Sequence, residues 1–429
     1  MKTRLLMISV LFLGALWGSA CDSDAGGSLC DNDVIDPGET CDPPGTCPTA
    51  CDDNDVCTTD SLLGSADECT AECSYQPITS CADGDGCCPA GCDISNDNDC
   101  PCVPEVDAVD TEDEVGMVPS LALDSNGYPH ISYGDSTNDD LKYARWDGSA
   151  WQIESVDGND QVGHETALAL DGDDLPHISY FDFTHYLLKY ARWDGSAWQI
   201  QTVETTTGAG HDSSLALDSA GFPHISYWAE MESELRYARW DGAAWQIETV
   251  DTDGNTGQGT SLALDSADQP HISYVNRDDS DLLYTHWNGL GWQRQTVDTA
   301  DVNNGETSLA LDSAGYPHIA YFEYINDNLK YARWDGAAWQ IVAVDTEGDV
   351  GQNASLALDS ADFAHLSYRD VDNHALKYAR WDGSAWHHQL LDTVNDAVWT
   401  SIALDSADRV HISFFGQTNH DLLHVWPCQ

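Results

Sequence analysis

A segment of 46 or 47 residues recurs seven times in this chain, and that repeat constrains the fold more than any other feature. It is clearest in the stretches PHISY at 129–133 and ARWDGSAW at 144–151. One histidine marks each unit, and the seven are His130, His177, His224, His271, His318, His365 and His411. Seven units of this length are typical of a propeller or a solenoid.

Each unit contains four short runs of strand-forming residues separated by turn residues. In the first unit these runs are 120–123, 130–133, 141–146 and 151–156. Four strands per unit correspond to one propeller blade, whereas a β-helix has shorter coils and lacks tight hairpins. The sequence therefore predicts an all-β fold, with a seven-bladed β-propeller of four-stranded blades at 102–429. The turn at 146–151 resembles the Asp-box hairpin of sialidase-like propellers, although it is one residue shorter, and this resemblance concerns fold rather than activity.

The two ends of the repeat region complement each other. The last unit stops at Cys428 without its fourth run, while the stretch 106–111 precedes the first unit where a fourth run would stand. We therefore expect an N-terminal outer strand to complete the last blade, because ring closure removes open sheet edges. The same register places Cys102 and Cys428 on either side of a severed hairpin tip and predicts a disulfide between them.

The N-terminus carries an export signal. Lys2 and Arg4 precede an apolar run at 5–16 and three small residues at 18–20, which is the organisation of a secretory signal peptide at 1–20. With Cys21 next, the segment resembles the lipobox of bacterial lipoproteins, in which this thiol is acylated, although Gly18 replaces the usual leucine. Together with the repeats, this resembles bacterial surface propeller proteins and implies a lipid-anchored envelope protein with a linker at 21–29. Ordinary cleavage after Ala20 and secretion is the alternative.

The cysteines predict a second, smaller domain. Of 15 cysteines, Cys21 is assigned to the anchor, twelve lie between Cys30 and Cys100, and Cys102 and Cys428 remain. Even numbers in an exported chain predict disulfides, so 30–101 is expected to be a small disulfide-rich domain whose pairing stays open. Irregular spacing and a lack of histidine disfavour zinc there. The stretch 31–42 resembles cysteine-rich modules in surface lipoproteins of myxobacteria-like organisms.

Charge limits the partners of the chain. The 74 acidic and 16 basic side chains give a net charge of -58, which disfavours nucleic acid and leaves the lipid anchor as the membrane contact. Residues 21–102 contain 19 Asp and Glu and no Lys or Arg. Acidic strings at 52–55 and 93–99 offer calcium ligands without the spacing of a calcium loop, and a solvated acidic surface is the alternative. No other cofactor or metal is expected, and we expect a monomer.

The repeated polar and aromatic residues are interpreted as framework. Each histidine belongs to the second strand of its unit and faces a repeated aspartate, such as Asp124 opposite His130, which predicts an Asp–His hydrogen bond. Arg145 and its equivalents are assigned to the framework as well. The paired tryptophans, such as Trp193 and Trp198, are expected to pack hairpins and blade interfaces. Sugar pockets formed by these tryptophans between adjacent blades, as in some propeller lectins, are the alternative.

Comparison of the seven units shows where the chain varies. The connections after the second run and after the fourth run differ between units, and both emerge on one face, the variable face. The two near-invariant hairpins emerge on the other, the hairpin face. A diverse surface on a rigid frame is typical of a binding site. We expect ligand contacts from Phe181, Asp182, Phe183, His185, Tyr186, Trp228, Phe322, Glu323, Tyr324, Arg369, Trp399 and Phe415. Mutual packing of the aromatic members over the channel is the alternative.

No catalytic signature stands out in the sequence. The chain lacks a phosphate-binding glycine loop, a His-Glu-x-x-His motif and a Gly-x-Ser-x-Gly elbow. The four arginines outside the repeated positions, Arg277, Arg294, Arg369 and Arg409, form no evident sialidase triad. The predicted function is therefore a non-enzymatic recognition or adhesion module for carbohydrate or protein. A sialidase-like or other polysaccharide-acting enzyme is the alternative.

Overall fold

The computed structural model describes residues 35, 38–42, 44–53, 56–80, 87, 105–299, 302 and 305–426. The expected signal peptide, linker and acylated Cys21, and the Cys102–Cys428 pair, lie outside the described residues, as do the acidic string 93–99 and Asp55. The chain divides into two compact units, Met1–Cys102 and Val103–Gln429. Among the residues described, no helix has the length and apolar character needed to span a membrane.

The first unit is held together by disulfides rather than by a large apolar core. It contains a two-stranded antiparallel sheet, β1 (Thr58–Leu63) and β2 (Glu72–Pro77), and 3-10 turns at Pro44–Thr46 and Ala66–Glu68. Three disulfides are described, namely Cys41–Cys47, Cys51–Cys73 and Cys57–Cys87. Its small buried cluster consists of three cysteines and one alanine. This confirms a disulfide-rich segment before the propeller.

The second unit begins with β3 (Glu105–Asp110) and continues as seven repeats. Each sheet has four antiparallel strands, and the inner strands surround a central channel, with the last sheet packed against the first. This confirms the predicted all-β, seven-bladed propeller. The sheets are named blades 1 to 7 in chain order.

Blades 1 to 6 each contain four consecutive strands. Blade 1 has β4 (Val115–Leu123), β5 (Pro129–Asp135), β6 (Asp140–Trp146) and β7 (Trp151–Asp157). Blade 2 has β8 (Val162–Leu170), β9 (Pro176–Asp182), β10 (Leu187–Trp193) and β11 (Trp198–Thr202). Blade 3 has β12 (Ala209–Leu217), β13 (Pro223–Ala229), β14 (Glu234–Trp240) and β15 (Trp245–Asp251). Blade 4 has β16 (Thr256–Leu264), β17 (Pro270–Asn276), β18 (Asp281–Trp287) and β19 (Trp292–Asp298). Blade 5 has β20 (Thr307–Leu311), β21 (Pro317–Glu323), β22 (Asn328–Trp334) and β23 (Trp339–Asp345). Blade 6 has β24 (Val350–Leu358), β25 (Ala364–Asp370), β26 (Ala375–Trp381) and β27 (Trp386–Asp392).

Blade 7 is assembled from both ends of the repeat region. Its first three strands are β28 (Ala397–Leu404), β29 (Val410–Gly416) and β30 (Asp421–Trp426). The fourth is β3, which pairs antiparallel with β30 and places Val106 opposite Val425. This is the arrangement that the repeat register predicts, and it joins the two ends of the repeat region within one sheet.

The apolar core lies between neighbouring blades. Leu141 and Tyr143 of blade 1, for example, form one buried cluster with Ile178 and Tyr180 of blade 2. The second strand of each blade is buried along almost its whole length, because both of its faces contact a neighbouring blade. Burying a large apolar side chain contributes roughly 1.5–3 kcal/mol, so the repeated interfaces are the main source of stability.

Serine hydroxyls fasten the inner strands around the channel. Ser120 Oγ accepts the backbone N–H of Leu168 in the next blade at 3.0 Å. The equivalent bonds run from Leu262 to Ser214, Leu309 to Ser261, Leu356 to Ser308, Ile402 to Ser355 and Leu121 to Ser401. The last of these links blade 7 to blade 1. Between blades 2 and 3 alanine takes the serine position, at Ala167, so this boundary has no equivalent bond among the described residues.

A second polar contact crosses six of the seven blade boundaries near the variable face, and the boundary between blades 6 and 7 lacks it because Phe414 takes the tyrosine position. The Tyr180 hydroxyl of blade 2 donates to Asp157 of blade 1 at 2.8 Å, and Lys189 pairs with the same carboxylate at 2.5 Å. Burial, together with that carboxylate, raises the pKa of Tyr180. Lys189 and its equivalent Lys142 are therefore framework residues, as the repeat suggests.

The main partner of each recurring histidine differs from the expected aspartate. Tyr143 and His130 Nδ1 form a close hydrogen bond, while Asp124 lies 3.9 Å from Nε2. In blade 6 the aspartate is nearer, with Asp359 3.4 Å from His365 Nε2. The Asp–His contact is therefore secondary, because a buried tyrosine hydroxyl on the adjacent strand needs an acceptor and Nδ1 is the nearest one.

Candidate functional site

The variable face does not present the aromatic surface that the sequence predicts. Phe181, Trp228, Phe322 and Phe415 are only 0%, 5%, 6% and 5% exposed. The expectation of exposed side chains is wrong for these four residues. The physical reason is that the second strand of each blade runs two residues further than the sequence pattern indicates and carries these side chains into the blade interface.

The other predicted aromatics divide between the channel and the solvent. Phe183 and Trp399 line the central channel. Tyr186 and Tyr324 are 43% and 57% exposed, in the loops of blades 2 and 5. The structure therefore spreads the predicted set over several blades and does not gather it into one site.

The polar members of the predicted set have partners close to them in the chain or in the next blade. His185 Nδ1 lies 3.0 Å from Asp182. Glu323 accepts a hydrogen bond from the Asn326 amide at 2.8 Å. Arg369 pairs with Asp396 of the connection leading to blade 7 at 2.9 Å.

The central channel contains a cavity of about 470 Å³ lined by the inner strands of all seven blades. Each inner strand except that of blade 5 has a register shift near the variable face, and the shifted residue commonly has a positive φ. In blades 2 to 4 its side chain reaches the next blade, or its backbone N–H donates to the preceding one. Glu165 accepts the N–H of Asp212 at 2.9 Å, and Asp212 accepts that of Gly259 at 2.9 Å. These carboxylates accept hydrogen bonds from backbone N–H groups at the register shifts, which is a structural role.

The pKa values of three side chains at the channel are nevertheless shifted. Burial, reinforced by Glu165, raises the pKa of Asp212 to about 7. Burial likewise raises the pKa of Glu306. Burial alone would lower the pKa of His211, but its contact with Glu165 at 3.3 Å raises it. Among the described residues that line the channel there is no Lys or Arg.

The hairpin face carries open pockets between adjacent blades. The pocket between blades 1 and 2 has a volume of about 240 Å³, and the one between blades 3 and 4 about 260 Å³. The first is lined by His130, Tyr143, Arg145, Glu154, Asp174, Leu175, Pro176 and Trp193. The second is lined by the equivalent His224, Tyr237, Arg239, Glu248, Asp268, Gln269, Pro270 and Trp287. We call them the Arg–Glu pockets.

The sequence assigns the arginines of these pockets to the framework, but the described residues of the framework give them no ion-pair partner. Arg145 and Arg239 make no ion pair with any residue that the structure describes, and both are exposed. By contrast, the other repeated base of the same strand, Lys142 in blade 1, pairs with Asp110 at 2.5 Å. In a chain with 74 acidic side chains, a guanidinium without a carboxylate partner is available to a ligand.

The glutamates of the pockets are also available. At the boundaries between blades 2 and 3 and between blades 4 and 5, glutamine stands in this position. There, Gln201 and Gln295 accept the indole N–H of Trp245 and Trp339, at 3.2 and 3.0 Å. At the Arg–Glu pockets the corresponding indole N–H groups, of Trp198 and Trp292, have no described partner. Glu154 and Glu248 line the pockets instead.

The two tryptophans of each hairpin have different tasks. Trp198 of blade 2 packs edge-to-face against Tyr143 of blade 1, with ring centroids 5.4 Å apart, which confirms packing at the blade interface. Trp193 contacts Trp198 at 5.6 Å and lines the Arg–Glu pocket. A larger related pocket of about 760 Å³ between blades 5 and 6 keeps Arg333 and Trp381, but Val342 stands in the glutamate position.

No family model matches this sequence, and no curated protein matches it either. Among solved structures, an ulvan lyase of polysaccharide lyase family PL25 is 14% identical, with a TM-score of 0.55 over 75% of this chain and 96% of that one. A fucose lectin from Kordia zhangzhouensis is 24% identical over 32% of this chain and 99% of that one, with a TM-score of 0.26. The NanB sialidase from Streptococcus pneumoniae is 12% identical, with a TM-score of 0.39 over 74% and 68%. The likeness to the lyase supports the propeller architecture, and the two lower TM-scores carry no argument.

Proposed function

We propose that this protein is an exported, surface-bound carbohydrate-binding protein and that the two Arg–Glu pockets are its sugar sites. The observation that carries the proposal is the coincidence, in both pockets, of an arginine without an ion pair, a glutamate turned away from the framework and a tryptophan wall. Fold alone does not favour binding over catalysis, so the proposal rests on these side chains.

The chemistry of the pockets fits a sugar ring. Neighbouring hydroxyls both donate and accept hydrogen bonds, and a guanidinium fork supplies donors while a carboxylate supplies acceptors. The apolar C–H face of a sugar packs on an indole such as Trp193. A volume of about 240–260 Å³ lies below the roughly 300–1,000 Å³ of sites for drug-sized ligands. Each pocket therefore suits one sugar residue, such as the end of a glycan.

Charge favours a neutral sugar over an acidic one. Each pocket combines one arginine with two acidic residues, Glu154 and Asp174 in the first. Asp174 is already occupied, because it accepts hydrogen bonds from the Ser125 amide and hydroxyl at 2.9 and 2.6 Å. The net charge of -58 further repels anionic glycans.

Two equivalent pockets on one face favour multivalent attachment. A single sugar ring offers few contacts and binds weakly, but a second site on the same rigid ring raises the overall affinity for a surface that displays many copies. A lipid anchor at Cys21 would place many propellers side by side and increase this effect. The proposed role is adhesion or glycan recognition at the cell exterior.

A glycan array followed by titration tests the proposal. Arg145→Ala combined with Arg239→Ala should weaken binding by about 2 kcal/mol per site, or roughly thirtyfold, because a charged hydrogen-bond donor is lost. Arg192→Ala is the matched control, since the same arginine there stands beside Gln201, which is engaged by Trp245. This control should bind like the wild type.

The same experiment tests the variable face predicted from the sequence. Tyr186→Ala combined with Tyr324→Ala removes its two exposed aromatics. If this variant loses binding while the double arginine variant keeps it, the variable face is the ligand site and the Arg–Glu pockets are not.

An enzyme acting on polysaccharides is the second candidate, and the channel supports it. Asp212, with its raised pKa, is protonated in part near neutral pH beside Glu165, which suits a general acid. A sialidase in particular is disfavoured, because the individual arginines Arg294, Arg369 and Arg409 pair with aspartates in different blades. Depolymerisation assays on neutral and acidic glycans decide the question: turnover by the wild type that disappears in Asp212→Asn would establish an enzyme.

A further inference from the structure

Two aspartates and one histidine converge on the variable face of blade 2. Asp160 lies in the connection before β8, Asp182 ends β9, and His185 lies in the connection after it. His185 Nδ1 is 3.0 Å from Asp182 Oδ2 and 3.5 Å from Asp160 Oδ2. Within the part of the chain that the structure describes, this is the one group of three such side chains with ligand atoms close enough for a shared metal ion.

Blade 1 contains the same arrangement with one change. Asp113 and Asp135 occupy the positions of Asp160 and Asp182, and Asp113 and Asp160 share a positive φ of 72° and 79°. The third position is Asn138, whose amide donates to Asp135 at 2.9 Å. Blade 6 repeats this contact, from Asn373 to Asp370 at 3.0 Å.

The framework therefore needs only an amide at this position. The turn is satisfied by Asn138 in blade 1, so an imidazole in blade 2 is not required by the fold. An imidazole adds what an amide does not supply, namely a nitrogen lone pair for a transition metal.

We propose that Asp160, Asp182 and His185 bind a divalent transition-metal ion, with zinc the best fit. Two carboxylate oxygens and one imidazole nitrogen are zinc ligands, whereas calcium prefers oxygen alone. Ligands about 2.0–2.1 Å from a tetrahedral ion lie about 3.3 Å apart, which is close to the two separations of His185 Nδ1 from the carboxylates. Asp160 and His185 are exposed and Asp182 is buried. The ion would therefore bind to Asp182 on its protein side and be accessible to water on its other side.

Nearby charge does not distinguish the two blades. Lys189 Nζ lies 3.9 Å from Asp182, and its equivalent Lys142 lies 3.8 Å from Asp135. A comparison of blades 1 and 2 therefore isolates the effect of the imidazole.

The test is a zinc titration of the tag-free, disulfide-intact protein, followed by calorimetry, with cobalt as a spectroscopic probe. The wild type should bind zinc at one saturable site, and cobalt there should give visible absorption bands. His185→Asn should abolish both signals. Its melting temperature without metal should match that of the wild type, because asparagine is the residue used in blades 1 and 6.

The reciprocal variant makes the test stricter. Asn138→His converts the blade 1 trio into a copy of the blade 2 trio and should raise the stoichiometry from one zinc to two. Asp160→Asn should weaken binding in the wild-type background. Retention of the wild-type stoichiometry by His185→Asn, or failure of Asn138→His to gain a site, would overturn the proposal. Displacement of zinc by equimolar calcium would overturn it as well.

Discussion

The recurring Tyr–His pairs determine how the propeller responds to acid. Six of the seven histidines share a hydrogen bond with a buried tyrosine hydroxyl, as Tyr190 does with His177 Nδ1 at 2.5 Å. In blade 7 the tyrosine is replaced by His424, whose Nε2 lies 3.3 Å from His411 Nδ1. The tyrosine keeps its proton because burial raises its pKa, so it donates and Nδ1 must be unprotonated. Burial also lowers the pKa of His130, His271 and His411 to about 4. These imidazoles are neutral in the folded protein and titrate near pH 6.5 once it unfolds.

The first prediction follows from the sign of this shift. Between pH 6.5 and 4 the unfolded chain binds more protons at these histidines than the folded chain, so stability falls as pH falls. From pH 7 to pH 5, each of the three histidines should lower the free energy of unfolding by about 2 kcal/mol. Asp212 has the opposite effect, because its raised pKa favours the folded state in acid. Its contribution offsets the loss of stability caused by about one histidine. The pKa values of His177, His224, His318 and His365 are lowered as well, so denaturant unfolding should show a net loss of stability of several kcal/mol at pH 5. Constant or rising stability over this range would contradict the assignment of neutral histidines.

Single residues also show where sequence reasoning reached its limit. The repeat identified His130, Arg145 and Trp193 as recurring positions, but not which of them make contacts within the fold. That distinction depends on ion pairs and burial, which a periodic pattern does not contain. The alternation of Glu154, Gln201, Glu248 and Gln295 was visible in the sequence, yet its meaning required the position of the tryptophan indoles.

At the scale of the strand, the bulge at the register shift of each inner strand except that of blade 5 is a structural feature whose sequence varies. The bulged residue differs from blade to blade, and Val118 has a φ of 43° there, which a β-branched side chain tolerates poorly. Asn353 occupies the equivalent position in blade 6 with a φ of 53°. Its side chain accepts the N–H of Trp399 in the next blade at 3.3 Å.

Val118→Asn should therefore stabilise the protein. Asparagine accepts positive φ more readily than valine, and its amide can accept the N–H of Glu165 as Asn353 does for Trp399, so we expect a gain of about 1 kcal/mol in the free energy of unfolding. Chemical denaturation measures it. Gly259→Ala serves as the opposite control at the same position, because a Cβ there would lie 2.4 Å from the Gly305 carbonyl oxygen. A loss of stability in Val118→Asn would show that the valine side chain is needed in the channel.

The paired tryptophans of a hairpin provide the next prediction. Trp198→Ala removes the packing against Tyr143 of the neighbouring blade and should cost about 3 kcal/mol of stability. Trp193→Ala should cost much less in unfolding measurements but weaken sugar binding, because Trp193 lines the pocket. Equal stability losses in the two variants would mean that both tryptophans belong to the framework.

At the scale of the molecule, the fold was predictable because the seven copies of the repeat can be compared with one another. Seven copies expose the strand count, the missing strand at one end and its replacement at the other. The burial of Phe181 and Trp228 was not predictable in the same way, because the end of a strand is set by packing against the next blade. The two-domain division, with a boundary near Cys102, stays a proposal that truncation tests.

Deletion of residues 22–101 should leave a soluble propeller that unfolds cooperatively, since β3 and all other blade strands remain. Deletion of residues 22–111 removes β3 as well and leaves β30 as an open edge, with Leu423 and Val425 deprived of their covering strand. This second protein should unfold at lower denaturant and aggregate. To separate the strand from the expected disulfide, the shorter deletion is also made with Cys102→Ser and Cys428→Ser, which should retain more stability than the longer deletion. Equal stability of those two proteins would show that β3 does not close the ring. An unfolded shorter deletion with both cysteines paired would show instead that the propeller depends on the cysteine-rich unit.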